Sequence, residues 1–278
     1  MKLLLAINVF LSSILLANAA RILAVFVTPA TSHQIVFRSL TLELARRGHE
    51  LVVITPSPVF RKGQAPENYT EIDVTQKSRE GWKKKPTPAG ISKDSDAKVV
   101  LRNHIGVINK LFYEYLELED VNEIIKDQNT KFDLLILEGW FRPSIAFAYK
   151  FDVPVIRFNS FGSGFSVYED MGAFQHPVLN PNMFNPKPND HTFWGRITTL
   201  YDNYIYTNMH KSKDNENDVL LRKHFGANIP SINELNMKVD ILLVDVHRAW
   251  EMFIPTPPNL IHVGGIHINT ERELPKVR

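Results

Sequence analysis

The fold of this protein is decided by residues 22–54, which read ILAVFVTPATSHQIVFRSLTLELARRGHELVVI. The run from Ile22 to Val27 is continuously apolar and shows no period-two alternation, which predicts a strand buried on both faces. Residues 34–47 carry apolar side chains at helical spacing, and Gly48 follows where such a helix would end. A second buried strand is predicted over residues 51–54. This strand–helix–strand order predicts a βαβ unit, and therefore a parallel sheet with a right-handed crossover.

The turn that joins the first strand to the helix covers Thr28–Ser32, in which Thr31 or Ser32 offers a hydroxyl group to cap the helix. No glycine occurs between Thr28 and Ile35, so the turn does not match the GxGxxG loop that binds a dinucleotide pyrophosphate. The sequence contains no GxxxxGK(S/T) phosphate loop either. Residues 162–166 read GSGFS and superficially resemble a phosphate-binding nest, but we favour a flexible loop because no helix evidently opens there.

The alternation of strands and helices continues towards the C-terminus. Residues 57–97 are polar and include several prolines, and we predict a loop with little regular structure there. Apolar residues at helical spacing from Val107 to Ile125 predict a long helix, and Pro143 fits the first turn of another. The remaining predicted elements are strands over 132–137, 154–158, 239–246 and 260–263, helices over 192–211 and 215–225, and an extended loop over 176–190. Together they predict one α/β domain over residues 21–278, a Rossmann-like parallel sheet flanked by helices.

The first residues have the pattern of a secretory signal peptide. Lys2 precedes an apolar run over residues 3–16, and an A-x-A cleavage site occupies residues 17–19. The run is shorter than the roughly 20 residues that span a bilayer, so we favour a cleaved signal over residues 1–20 rather than an uncleaved anchor. No second long apolar stretch follows, and we expect no transmembrane segment in the mature chain.

A secretory location gives meaning to one further motif. The mature chain is predicted to begin at Ala20 or Arg21 and to enter the endoplasmic reticulum lumen or be secreted. The triplet Asn68-Tyr69-Thr70 is the sequence's single N-x-S/T sequon and lies in a polar stretch. We therefore predict a glycan on Asn68.

Composition and charge exclude several classes of protein. The chain has 278 residues, of which 44% are hydrophobic and 22% are charged, as in an ordinary globular domain. The formal charge is +2, and it falls to about +1 without the predicted signal peptide, which argues against a nucleic-acid partner. The sequence has no cysteine, which excludes disulfide scaffolds, zinc ribbons, thiol catalysis and iron–sulfur clusters. No HExxH motif occurs and the ten histidines lack ligand spacing, so we expect no catalytic metal.

Two titratable residues lie where a parallel α/β sheet places its chemistry, beyond the carboxyl ends of the strands. His33 lies in the turn after the first predicted strand, at the start of the helix, and Glu138 directly follows the strand over 132–137. Imidazole titrates near neutral pH, which suits a general base. The plainer alternatives are a solvent-facing capping residue for His33 and a surface ion pair for Glu138.

Three blocks of sequence resemble the UDP-glycosyltransferases, particularly the insect members. The first is TSHQIVFR over residues 31–38, followed by LARRGHE over 44–50. The second is FDLLILE over 132–138, followed by VPVI over 153–156, and the third is NLIHVGGIH over 259–267. The blocks occur in the family's order and cover residues 21–278.

The resemblance implies a GT-B fold, in which an N-terminal Rossmann-like domain binds the acceptor and a C-terminal domain binds the UDP-sugar. It also implies inverting transfer of a hexose, with no cofactor besides the UDP-sugar co-substrate. His33 would be the general base, and Glu138 would orient it at a position where vertebrate members usually carry aspartate. The acceptors would be small lipophilic molecules, as in detoxification. Candidate residues for an apolar acceptor pocket are Phe141, Phe161, Phe165, Trp194 and Tyr201.

The family's donor-binding signature, membrane anchor and dilysine tail do not occur among these residues. We therefore expect this chain to be the acceptor-binding half, as a fragment or a natural truncation, with UDP-sugar binding left to a C-terminal domain. The alternative is a secreted, non-catalytic protein that binds lipophilic molecules and derives from a truncated transferase.

Overall fold

The computed structural model describes residues 19–83, 97–162, 164, 166–173, 175–180, 192–251 and 254–268. Within these residues seven strands form one sheet in the order β3-β2-β1-β4-β5-β6-β7, and every neighbouring pair is parallel. The strands are β1 Arg21–Val25, β2 Glu50–Thr55, β3 Tyr69–Asp73, β4 Leu134–Glu138, β5 Val155–Asn159, β6 Ile241–Val244 and β7 Leu260–His262. The predicted parallel sheet is thus confirmed.

Helices cover both faces of this sheet. They are α1 Thr31–Arg46, α2 Thr75–Lys83, α3 Ala97–Leu116, α4 Glu119–Lys126, α5 Ala146–Phe151, α6 Val167–Asp170, α7 Phe193–Lys211, α8 Asp214–Phe225 and α9 Ile232–Asn236, with 3₁₀ helices over Arg142–Ile145 and Arg248–Trp250. No helix in the described part of the chain is both long and apolar enough to cross a bilayer. The predicted signal peptide lies almost entirely outside the described residues.

The continuous apolar run of the first strand follows from this two-sided cover. Ile22 and Ala24 of β1 belong to a core with Phe37 of α1, whereas Leu23 and Val25 belong to a second core on the opposite face. That second core includes apolar residues of α3 and α4. Both sets of side chains are buried, so no polar residue alternates with them.

The strand order reverses between β1 and β4. From β1 the chain extends outward through β2 and β3, and from β4 it extends the other way through β5, β6 and β7. A crevice forms at the carboxyl ends of two strands whose connections leave in opposite directions. The segment after β1 and the residue that ends β4 therefore meet at one place.

The predicted loop over 57–97 is wrong for much of its length. The structure contains β3 over Tyr69–Asp73 and α2 over Thr75–Lys83, while residues 84–96 lie outside the described part. β3 is an edge strand in which Tyr69 and Ile72 are buried, whereas Thr70, Glu71 and Asp73 are not. These polar residues conceal the strand pattern in the sequence.

Two smaller predictions also need correction. The helix cap is Ala30 rather than Thr31 or Ser32, because the amides of His33 and Gln34 already donate to the Ala30 carbonyl, both at 3.0 Å. The single helix predicted over 107–125 is two helices, α3 and α4. The predicted helices over 192–211 and 215–225 match α7 and α8 to within one residue, and the loop predicted over 176–190 is described only as far as residue 180.

Candidate active site

The structure brings His33 and Glu138 together. Glu138 is the last residue of β4 and is fully buried, while His33 lies in the first turn of α1 with its side chain 20% exposed. The imidazole Nδ1 lies 3.3 Å from the carboxylate Oε1. One residue is therefore enclosed by protein and the other connects it to solvent.

The Glu138 carboxylate is held from several directions. Its Oε2 accepts hydrogen bonds from the backbone amides of Val27 at 2.7 Å and Thr28 at 2.9 Å. Its Oε1 accepts one from the indole N–H of Trp140 at 2.8 Å. Burial alone raises the pKa of Glu138, but the hydrogen bond and charge of His33, with the hydrogen bonds from Thr28, hold the pKa below its ordinary value. The carboxylate is thus ionised at neutral pH.

This arrangement fixes the tautomer of the neutral histidine. An ionised carboxylate can only accept hydrogen bonds, so Nδ1 carries the proton that faces Glu138, and the lone pair of the neutral imidazole lies on Nε2. The rings of Phe161 and Phe37 lie edge-on to the imidazole, with centroids at 5.7 Å and 6.3 Å. A carboxylate behind Nδ1 and a lone pair on Nε2 are the features of a histidine general base.

Trp140 is a site residue that the sequence analysis missed. It lies two residues after Glu138, and its indole N–H is shared between Glu138 and the Thr28 hydroxyl at 3.2 Å. Its carbonyl accepts a hydrogen bond from His210 Nε2 at 2.7 Å. Gly139 allows this turn, because a Cβ atom there would lie 2.7–2.8 Å from the backbone and Cβ of Asn159. An indole close to a strand-end carboxylate is the signal that could have found it.

Beneath this turn lies a second polar centre, built on two buried arginines. Arg142 donates to Asp170 at 2.6 Å and to Asp214 at 3.2 Å. Arg157 donates to the Gly139 carbonyl at 3.1 Å, and burial lowers its pKa to about 10. These arginines support the loop that carries Trp140.

A cleft of about 580 Å³ lies at the carboxyl ends of β1, β2 and β3. Thr31 and Gln34 of α1, which flank His33 in sequence, are part of its wall. Trp82 and three prolines provide apolar surface, and the other eight lining residues, Asp73 and Arg79 among them, are polar. The volume of the cleft is within the range of small-molecule sites, and its lining is more polar than apolar.

The four predicted acceptor-pocket residues that the structure describes lie in three different environments. Phe161 lies beside His33, as described above. Phe141 is 2% exposed and packs in the core against Phe112, and Trp194 and Tyr201 lie on the solvent-exposed side of α7. Phe165 lies outside the described residues. Within the described part, no cluster of three or more acidic, histidine or cysteine side chains could hold a metal ion.

The sequence profile of the family described as UDP-glucoronosyl and UDP-glucosyl transferase matches residues 22–277. The chain belongs to this family. The resemblance read from three sequence blocks is thereby confirmed.

Curated relatives of this transferase family are similar over most of the chain. An ecdysteroid UDP-glucosyltransferase of Autographa californica nuclear polyhedrosis virus is 31% identical over 278 residues, covering 96% of this chain and 53% of the relative. Its namesake from Spodoptera littoralis nuclear polyhedrosis virus is 29% identical, covering 90% and 50%. UDP-glucosyltransferase 2 of Dactylopius coccus is 28% identical, covering 93% and 50%. The chain thus spans about half the length of the curated relatives it matches.

Solved structures of glycosyltransferases align with similar coverage. TcCGT1 in complex with UDP shares 15% sequence identity and a TM-score of 0.49, covering 94% of this chain and 54% of that one. Medicago truncatula UGT71G1 complexed with UDP-glucose shares 12% identity and a TM-score of 0.44, covering 89% and 52%. Family membership rests on the sequence match rather than on these overlays.

Proposed function

We propose that this chain is the acceptor-binding half of a UDP-glycosyltransferase, with His33 as the general base. The observation that carries the proposal is the pairing of His33 Nδ1 with the buried carboxylate of Glu138, at 3.3 Å. Because Nδ1 faces Glu138, Nε2 lies on the side of the imidazole ring that points away from this carboxylate. The pairing also lies at the point of strand-order reversal, where α/β folds bind their ligands.

The reaction that we propose for this pair is inverting transfer of a sugar. Nε2 of His33 takes the proton of an acceptor hydroxyl while the oxygen attacks the anomeric carbon of the sugar. The bond between that carbon and the UDP oxygen breaks on the opposite side, and its electron pair leaves with UDP, so the configuration inverts. Glu138 stabilises the imidazolium that forms, in the role of the acid in a Ser-His-Asp triad.

The acceptor is a small lipophilic alcohol seated in the cleft beside α1. The viral relatives are named for ecdysteroids, which makes a hydroxylated steroid the first acceptor to test. Trp82 and the prolines of the cleft would contact the apolar skeleton, and Asp73 and Arg79 would contact further hydroxyls. The hexose donor, which the relatives' names suggest is UDP-glucose, would be held by a C-terminal domain.

The test is a chimera in which residues 20–278 are joined to the C-terminal half of the Autographa californica relative. We expect glucose transfer to an ecdysteroid, and His33→Ala should lower turnover by roughly 10²–10⁴-fold, the usual effect of losing a general base. Glu138→Gln should cost less, because it disturbs the base without removing it. His49→Ala is the matched control, since His49 precedes β2 at the amino ends of the strands, opposite to the candidate site, and should leave turnover unchanged.

The outcomes separate the proposal from its alternative. The isolated chain should bind lipophilic acceptors and transfer no sugar. Full activity in the His33→Ala chimera would mean that the base lies elsewhere. Tight binding of lipophilic molecules by the isolated chain, combined with an inactive wild-type chimera, would favour a secreted binding protein without catalysis.

We propose the secretory pathway as the location, on the evidence of the N-terminal sequence pattern. Asn68 donates through its amide to the carbonyls of Ala45 at 2.8 Å and His49 at 2.9 Å, so a glycan there would replace one of two N–H donors. Mass spectrometry of protein from insect cells should show an N-terminus at Ala20 or Arg21 and a glycan on Asn68. An intact Met1 with unmodified Asn68 would contradict both.

A further inference from the structure

Gln34, the residue that follows His33 in α1, has a buried polar side chain for which the reaction above has no use. The residue is 1% exposed. Its side-chain Nε2 donates to the Thr28 carbonyl at 2.9 Å, and its Oε1 accepts from the Thr55 hydroxyl at 2.9 Å. A buried amide that is paired at both ends holds the segments on either side in a fixed relation. Gln34 therefore joins α1 to the segment after β1 and to the end of β2.

The hydrogen bonds through Gln34 run in one direction. A carbonyl oxygen can only accept, so Nε2 of Gln34 faces Thr28, and Oε1 faces Thr55. The Thr55 hydroxyl donates its proton to Gln34 and accepts from the backbone amide of Ser57 at 3.1 Å. The series of hydrogen bonds thus begins at Ser57, in the wall of the cleft, and ends at Thr28, which contacts Glu138.

Thr28 is the residue through which Gln34 reaches the candidate base. Its backbone amide donates to Glu138 Oε2 at 2.9 Å, and its hydroxyl accepts from the Trp140 indole at 3.2 Å. Because β1 ends at Val25, Thr28 lies past the strand pairing that would otherwise fix its backbone. The hydrogen bond from Gln34 to the Thr28 carbonyl supplies such a constraint.

Gln34 also lies in the turn that carries His33. The backbone amides of His33 and Gln34 both donate to the Ala30 carbonyl at 3.0 Å, where α1 begins. Gln34 is therefore attached to residues 28–30 twice, by its backbone and by its side chain, and His33 lies within the loop that these bonds close. The contact between the imidazole and the carboxylate is already long for a hydrogen bond, at 3.3 Å, so a small shift of this loop would break it.

We propose that Gln34 is a positioning residue for the His33–Glu138 pair, an inference that rests on the proposed role of His33 as general base. The side chain of Gln34 holds the Thr28 carbonyl, and the Thr28 amide holds the carboxylate. The carboxylate in turn keeps the proton of the neutral imidazole on Nδ1. Loss of Gln34 should leave His33 on α1 but release its tautomer. An imidazole that carries its proton on Nε2 cannot accept the proton of an acceptor hydroxyl there.

The test measures the tautomer of His33 in the chain from Ala20 onward. The ¹⁵N chemical shifts of the neutral imidazole distinguish the Nδ1–H form from the Nε2–H form, and His33→Gln identifies the signals by their loss. The Nδ1–H form should dominate in the wild type. Gln34→Met nearly keeps the size of the side chain and removes both hydrogen bonds, so it should lower the Nδ1–H fraction by at least about twofold.

Thr41→Val is the matched control. Thr41 is another buried polar residue of α1, is 1% exposed and bonds to the Tyr69 hydroxyl at 2.9 Å. It lies two turns beyond Gln34, so its loss should weaken the fold and leave the His33 signals unchanged. Thr55→Val removes the partner of Gln34 Oε1 and should lower the Nδ1–H fraction by a smaller amount. This variant decides the question if Gln34→Met does not fold.

Several results would overturn the proposal. They are a wild type in which the Nδ1–H form does not dominate, an unchanged Nδ1–H fraction in the folded Gln34→Met variant, and an equal loss in Thr41→Val. Turnover is a separate measurement, because Gln34→Met in the chimera described above should lower kcat by roughly tenfold. An unchanged kcat beside an inactive His33→Ala chimera would also overturn it. An active His33→Ala chimera would instead refute the proposed function, whatever tautomer the isolated chain shows.

Discussion

Two polar centres lie near the carboxyl ends of the central strands, and they differ in how many of their hydrogen-bonding groups are already paired within the protein. In the first, Glu138 is saturated by donors, while His33 is partly exposed and keeps Nε2 for another molecule. In the second, Arg142 is 3% exposed and bonds to Asp170, Asp214 and Asn233. The first centre is therefore available for chemistry, and the second holds structure.

The two centres are joined by the turn after β4. Arg157 donates to the carbonyl of Gly139, and His210 donates to the carbonyl of Trp140. Because Trp140 in turn donates to Glu138, the enclosed centre fixes the position of the open one. Damage to the arginines should thus appear first as lost stability, whereas damage to His33 should appear first as lost activity.

The largest expected effect on stability comes from Arg142→Met. The substitution leaves Asp170 and Asp214 buried without their cation, and breaking a buried ion pair in this way costs about 3–5 kcal/mol. Urea unfolding followed by circular dichroism measures the loss. Arg46→Met is the control, since Arg46 pairs with Glu43 on the exposed side of α1 and should change little. Equal stability of the two variants would show that the arginine centre is not structural.

Much of the fold could be predicted because the central strands are buried on both faces. The run at 22–27 is apolar throughout and the run at 132–137 is apolar except for Asp133, and each lies within two residues of the strand that forms. The edge strand Tyr69–Asp73 could not be predicted in this way, because only its Tyr69 and Ile72 are buried and the polar residues beside them are typical of a loop. The position of a strand at the edge of a sheet follows from the three-dimensional order of the strands, and the local sequence does not show it.

The candidate site was predictable where position along a strand determines chemistry. His33 and Glu138 follow strand ends, and strand order alone brings such residues together. Trp140 is marked in the sequence only by its position two residues after Glu138, and His210 by no local signal, because the roles of both residues depend on hydrogen bonds between distant segments. Phe141 and Trp194 were predicted to line the acceptor pocket but lie in the core and on the surface, because aromatic character alone does not distinguish these three environments.

The second-largest expected effect is a dependence of stability on pH. It tests whether His210, beside the arginine centre, is neutral in the folded protein. Burial and the charge of Arg142 lower the pKa of His210 to about 3 from its ordinary value of 6.5. Between these two pH values His210 is therefore neutral in the folded protein and takes up a proton when the protein unfolds. The contribution of neutral His210 to the free energy of unfolding is complete above pH 6.5 and is lost as the pH falls towards 3. The loss between pH 7 and pH 5 is about 2 kcal/mol. Urea unfolding at both pH values should show that slope in the wild type and a smaller one in His210→Gln. Parallel slopes would mean that His210 is charged in the folded protein.

The smallest effect tests the link between the centres. Trp140→Phe removes the indole donor from Glu138 and keeps an aromatic ring, so stability at neutral pH should fall by about 1.5 kcal/mol, as for a hydrogen bond to a charged group. The pKa of Glu138 should rise, because one donor to its ionised form is gone, and carboxyl ¹³C titration would show it. Trp250→Phe is the matched control, because Trp250 is 84% exposed. A double-mutant cycle with Glu138→Gln shows whether Trp140 stabilises the protein through the Glu138 carboxylate or only by filling space. If Trp140 acts through the carboxylate, the two costs are not additive; if it only fills space, they add, and the turn after β4 would support the base through backbone contacts alone.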